Sequence, residues 1–296
     1  MKKILSLIAI LGLVLLSVPQ VRADNTASTA SVTNVASVAS GAAITDVEGY
    51  ITMTENTTTD IVVTATVSDN NGCEDIGTVA VTLYNTAGGT PGGSDLNHSY
   101  TSTMAVVGSG NTCTGSGDLS ADYTKTFSVQ YYAIPGEWTA LVTPAGVGAT
   151  TDDDTSTINT LRAINVAAQG AGNTIEFGAL VLGADTGTGD DTTTVTNTGN
   201  IVTGVTVNSS SADNSMTCTV GSVAVAKEKF DLGTETAYAS KTAIGASGSA
   251  VDTGVSLAKA TSGTPVTDDI MWGFGLPVDG VGGSCTGTVV FTGVTD

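Results

Sequence analysis

The side chains of this chain that could do chemistry are mostly carboxylates and thiols. Two stretches gather hard oxygen donors: Asp69, Asn71, Glu74 and Asp75 around the turn at Gly72, and the run Asp152, Asp153, Asp154. Calcium takes about six to eight such oxygens from flexible segments, so these seven side chains are the one metal centre the sequence offers. The first loop departs from the EF-hand pattern D-x-[DN]-x-[DN]-G ending in Glu, and a solvated acidic face accounts for the same residues. Zinc and nucleophilic catalysis find no footing. His98 is the single histidine, held in a polar loop between Asn97 and Ser99, and H-E-x-x-H, G-x-S-x-G and Cys/His clusters are all missing. Carboxylates for glycoside hydrolysis are plentiful, yet spacing singles out no pair. No catalytic residue is therefore assigned, and no cofactor beyond calcium is expected.

The thiols depend on the compartment. Residues 1–23 combine Lys2 and Lys3, an apolar run from Ile4 to Val18, and Val21, Arg22, Ala23 ahead of Asp24. That is a cleaved signal peptide, its apolar run falling short of the ~20 residues of a spanning helix. No later segment of the mature chain is apolar for long enough to anchor it, so a secreted, extracellular or cell-envelope location is expected. Export makes oxidation the expected state of Cys73, Cys113, Cys218 and Cys285, with one disulfide per module. Cys218 shares strand parity with Met216 and Val220, and Cys285 with Val289 and Phe291, which points both into one core. Cys73 and Cys113 each follow an Asn/Gly turn and would tie two loops together.

Loss of Lys2, Lys3 and Arg22 with the signal takes the formal charge from −19 to −22. Such a surface repels phosphate, which excludes nucleic acid as a partner and leaves a cell-surface protein or a glycan. The sequons at Asn56, Asn97 and Asn208 are of the kind a Ser- and Thr-rich chain generates by chance.

The elements that must position these residues are strands. No stretch beyond the signal holds helical periodicity over ~11 residues, so the class is all-β. Residues 24–30 are too polar to order themselves and form a tail. Val32, Val35 and Val38 suggest a first edge strand, and Tyr50, Ile51 and Met53 a second. Ile61, Val63, Ala65 and Val67 alternate cleanly, as do Val79, Val81 and Leu83. Tyr123, Phe127, Val129 and Tyr131 share a face, with Trp138, Ala140 and Val142 returning as a hairpin after Pro135 and Gly136, while Tyr132 lies off that parity and could face solvent. Residues 147–160 then read as an acidic linker between a module at 31–146 and a second at 161–296. The second is organised around residues 175–207, read as several strands opening with Ile175, Phe177 and Leu180. It closes with Ile270, Trp272, Phe274 and Leu276, then with Cys285, Gly287, Val289 and Phe291 on one last strand. Residues 251–257 fit strand or extended loop equally.

These segments carry a family likeness. FGALVLG at 177–183 with TVTNTGN at 194–200 resembles the opening strands of bacterial immunoglobulin-like sandwiches of the ASPM/SPD-2/Hydin type. IMWGFGLP and GGSCTGTVVFTG are similar to the closing hairpin of secreted bacterial modules, and DNNGCEDIG and PGEWTALVT resemble immunoglobulin-like or cadherin-like repeats. The resemblance implies two tandem immunoglobulin-like antiparallel sandwiches, and its cadherin-like part a calcium ion stiffening the linker. It covers fold signatures only. The function expected is that of a non-catalytic envelope, adhesion or structural component acting by binding. The alternatives are a carbohydrate-active enzyme or its accessory module, and an extracellular filament subunit donating residues 31–38 to a neighbour's sheet.

Overall fold

The computed structural model describes residues 28–45, 49–88, 91, 95–107, 117–189 and 191–296. The expected signal peptide and Cys113 lie outside the described residues. Residues 35–296 form one compact unit. The fold is all-β, and among the described residues the regular elements are strands apart from three single-turn 3-10 segments. Among the described residues no helix is long and apolar enough to cross a membrane.

Alternating apolar residues build the first core. Thr58–Ser68 buries Ile61, Val63, Ala65 and Val67 on one face, as its pattern requires. It lies between Val38–Thr45 and Ser120–Gln130 in a four-stranded sheet completed by Ala105–Val106. The facing sheet runs Tyr50–Ile51, Asp152–Ile158, Gly136–Pro144, Val79–Asn85, Ser99–Thr103. Both sheets feed one apolar cluster holding Val63, Phe127, Leu83 and the fully buried Trp138. The second core is assembled the same way. Ile164–Ala168, Asp191–Asn197, Thr267–Phe274, Glu228–Leu232 and Thr242–Ala243 form one sheet, and Val251–Leu257, Thr203–Ser209 and Val289–Val294 face it. Val195, Phe230, Ile270 and Trp272 from the first of these meet Val205, Val207, Val255 and Leu257 from the second. Residues 251–257 are thus a strand.

Five expectations are corrected. The first edge strand starts only at Val38, with Val32 83% exposed, because the Val32, Val35, Val38 spacing is not that of a pleat. Ser120–Gln130 and Gly136–Pro144 are not a hairpin, since they belong to opposite sheets. Consecutive burial of Tyr131, Tyr132 and Ala133 breaks alternation where the chain crosses, and Tyr132 packs edge-on against Tyr131 rather than facing solvent. The closing segment is two strands in different sheets, Gly282–Thr286 and Val289–Val294, parted at Gly287 and Thr288. Residues 175–180 are not a strand at all. Gly178 takes a left-handed φ of 68°, and residues 177–180 make no backbone hydrogen bond among the described residues.

A sixth concerns the acidic linker, whose residues Asp152–Ile158 form a strand paired along Gly136–Pro144. Asp is a poor strand former, but here its carboxylates serve as acceptors. Asp152 Oδ2 accepts from the Ala42 N–H and Asp154 Oδ2 from the Ile44 N–H, each at 2.8 Å. Both donors lie at or beyond the register shift between Ser40 and Ala43, on the strand side turned away from Thr58–Ser68. Side-chain oxygens thereby do what a backbone ladder would. Asp152→Ala with Asp154→Ala is expected to lower stability by about 2 kcal/mol, two charge-assisted bonds at partly exposed positions. Equilibrium urea unfolding measures it; an unchanged midpoint would mean the two carboxylates do not hold the edge strand.

Polar side chains also join the two halves. Asn200 Oδ1 accepts from Leu161 N at 2.6 Å while its Nδ2 donates to Asn159 O at 3.0 Å. Buried Asn97 donates to Thr261 O at 2.7 Å, and Lys259 Nζ donates to Asn97 Oδ1 and Tyr132 O. Buried amides of this kind hold a register because every alternative leaves them unpaired.

Candidate binding cavity

The residues expected to hold calcium are largely engaged with protein donors. Asp69 is buried, its Oδ2 accepting from Ser37 Oγ and its Oδ1 from Asn71 N, both at 2.8 Å. Glu74 and Asp75 sit in the 3-10 turn Cys73–Asp75, and Asp153 lies on the exposed side of the Asp152–Ile158 strand, whose two other aspartates bind the Val38–Thr45 edge. Among the described residues no group of three or more His, Cys, Asp or Glu side chains is placed to hold a metal ion.

The thiols are oxidised where the structure describes them. Cys218 and Cys285 face each other across adjacent strands and form a disulfide, as their parity predicts. Cys73 is buried and disulfide-bonded, while Cys113, its expected partner, lies outside the described residues. His98 is a loop residue whose Nδ1 lies 2.6 Å from Asp95 Oδ2. The backbone N–H of Asn97, then the His98 side chain, hold the Asp95 carboxyl below its usual range.

A cavity of about 980 Å³ opens into the second core, and sequence reasoning did not find it. It follows from the misread segment. Residues 173–180 cross the mouth as a strap, pinned at one end by Ala168 N to Asn173 Oδ1 and Glu176 N to Asp191 Oδ2, both 2.5 Å. The other end is held by Gly183 N to Pro277 O and Leu276 N to Ala184 O. The mouth lies where Ile164–Ala168, an edge of the larger sheet, comes near Val289–Val294, an edge of the smaller. No ladder joins those edges, and Val166, Phe177, Val289 and Phe291 stay only partly buried. Phe177 of the strap stacks on Phe274 with ring centroids 5.0 Å apart.

Two polar groups face inward from the sheet that floors the cavity. Glu228 is buried, and desolvation pushes its carboxyl from an ordinary 4.5 up to about 7, with no charge or hydrogen bond offsetting it. Thr193 is fully buried and its Oγ1 has no hydrogen-bond partner among the described residues. Glu176 also lines the cavity but is exposed. The signal for Glu228 was present in the sequence, since it shares strand parity with Phe230 and so lies on the inward face. Nothing local marks Thr193 apart from its parity with Val195.

No family model matches the chain, and no curated protein matches it. Among solved structures, it is similar to the pre-assembly complex of chaperone and tip adhesion subunit from archaic chaperone-usher Csu pili of Acinetobacter baumannii. The identity is 11%, over 82% of this chain and 96% of that one, with a TM-score of 0.34. The C-terminal domain of the Streptococcus agalactiae AgI/II polypeptide BspA matches at 12% identity over 87% of this chain and 95% of that one, with a TM-score of 0.22. Likenesses this distant assign the chain neither a family nor a partner.

Proposed function

We propose that the mature chain is a non-catalytic secreted or cell-surface protein, an envelope or adhesion component of two immunoglobulin-like sandwiches, whose second sandwich binds a ligand in its cavity. The observation that supports this reading is the cavity itself, a large space of mixed apolar and polar lining into which buried Glu228 and Thr193 face, under a strap that has no ladder to break. Concave, mostly apolar sites with a few convergent polar groups are the usual form of a small-ligand site. Oxidised cysteines and the leader at residues 1–23 support export. A glycan or surface protein reaching the cavity fits the strongly negative charge better than any polyanion does.

One observation favours a second reading, a carbohydrate-active enzyme. Glu176 and Glu228 line the same cavity, one exposed and one held protonated near neutrality, the division of labour glycoside hydrolysis uses. Nile red, a neutral apolar dye, separates the two. The mature chain is expected to take it up with a fluorescence rise, and Ala168→Trp, which fills the mouth, to abolish uptake without changing the melting temperature. Nitrophenyl glycosides should stay intact throughout. Hydrolysis lost in both Glu228→Gln and Glu176→Gln would favour the enzyme, and absence of dye uptake would remove the cavity from either account.

A further inference from the structure

We propose that the cavity takes an elongated aliphatic amine, its ammonium against Glu228 and a second polar group at its far end against Thr193; this rests on reading the cavity as a binding site. Register sets the shape of the ligand. Thr193 lies beside Ile270 and Glu228 beside Phe274, both on the strand Thr267–Phe274. Four residues separate those positions, about 13 Å at ~3.3 Å per residue, and the two flanking strands lie two spacings of ~4.8 Å apart, so the two backbones are about 16 Å from each other. Both side chains are more than nine-tenths buried and line the same space. Phe177, Phe274, Met216 and Phe291 line the same space and suit a hydrocarbon body.

Charge sets its chemistry. The Glu228 carboxyl has no counter-charge of its own, and no lysine or arginine lines the cavity. A buried carboxylate is kept ionised only by a partner, so the missing cation has to arrive with the ligand. The mature surface concentrates cations and repels carboxylate amphiphiles. An ammonium has donors for the Glu228 oxygens, and a terminal hydroxyl or carbonyl would satisfy the Thr193 hydroxyl, a buried group that native proteins seldom leave unpaired. Binding expels the Glu228 proton, so affinity for the amine should rise with pH up to about 7 and then level off.

Calorimetric titration of the mature chain with n-octylammonium, 1-octanol, octanoate and 8-amino-1-octanol at pH 7.5 tests this. Octylammonium is expected to bind about tenfold more tightly than octanol, the scale of one desolvated charge pair, and octanoate to bind weakest. The amino alcohol should bind more tightly still. Glu228→Gln should remove the advantage of both amines and leave octanol unchanged, while Thr193→Val should remove only the gain that the amino alcohol shows over octylammonium. Both variants are first checked for an unaltered near-ultraviolet circular dichroism spectrum. Equal affinities for all four, or an amine preference that survives Glu228→Gln, overturns the amine assignment and leaves the cavity as a binding site. Heat from none of the four, the result for a space holding only water, overturns both.

Discussion

Replacing Cys218 and Cys285 together by alanine is expected to lower the unfolding free energy by about 4 kcal/mol, the loop-closure entropy of a cross-link over 67 residues. The effect is large because of what the disulfide closes. It ties Ser215–Val220 to Gly282–Thr286 at the edge of a small apolar cluster with Met216, Val223 and Phe274, and Cys285 itself lines the cavity. Among the described residues the Gly282–Thr286 strand has Ser215–Val220 as its only ladder partner, so without the cross-link that one short ladder alone holds the strand and that wall of the cavity. Guanidinium unfolding of the double variant, compared with the intact mature chain, gives the number. A loss below about 1 kcal/mol would mean that the denatured chain gains little from the cross-link, against the entropic account.

The second large effect runs in the stabilising direction and depends on pH. Glu228 has its carboxyl raised from 4.5 to about 7 by burial. A group whose folded value is raised contributes its full stability below its unfolded value and loses it as pH climbs through the folded one. Near pH 4 the side chain is protonated in both states, and Glu228→Gln should then match the parent. Between pH 4.5 and 7 the unfolded chain ionises while the folded chain resists. The parent accordingly weakens, by about 3 kcal/mol in all at ~1.4 kcal/mol per pH unit. Glutamine does not titrate, so at pH 8 the variant should be the more stable by roughly that amount. Thermal melts of both proteins from pH 4 to pH 8 measure the divergence. Parallel curves, or a variant that is weaker at pH 8, would place the carboxyl in water or beside an unseen cation.

Much of the fold was legible because strand alternation was strong where the core is strong. Thr58–Ser68 and Val79–Asn85 read cleanly, since Ile61, Val63, Ala65 and Val67 in one and Val79, Val81 and Leu83 in the other fall on a single buried pleat face. The parity of Cys218 and Cys285 sufficed to pair them. Legibility failed where side chains joined a ladder. Asp152 and Asp154 have the composition of a linker, and it is the pairing with Gly136–Pro144, together with the Ala42 and Ile44 N–H groups some 110 residues away, that makes them strand residues. It failed again at the strap, where Ile175 and Phe177 have strand spacing but no neighbouring strand to pair with, a fact of tertiary structure that no local pattern carries. The cavity was hidden for the same reason. Glu228 could have been flagged by parity, but its isolation depends on which residues surround it from distant segments such as 173–180 and 283–291.

The central claim is that burial raises a carboxyl to about 7 inside a ligand-binding cavity. Its most direct test is a nuclear magnetic resonance titration of the mature chain labelled with carbon-13 at the glutamate carboxyls, with the Glu228 resonance assigned by its loss in Glu228→Gln. A midpoint near 7 is predicted for Glu228 in the free protein, moving to lower pH when n-octylammonium is saturating. A Glu228 midpoint between 4 and 5 in the free protein would contradict the account, since it would mean that the carboxyl is solvated and the cavity is not the desolvated site described.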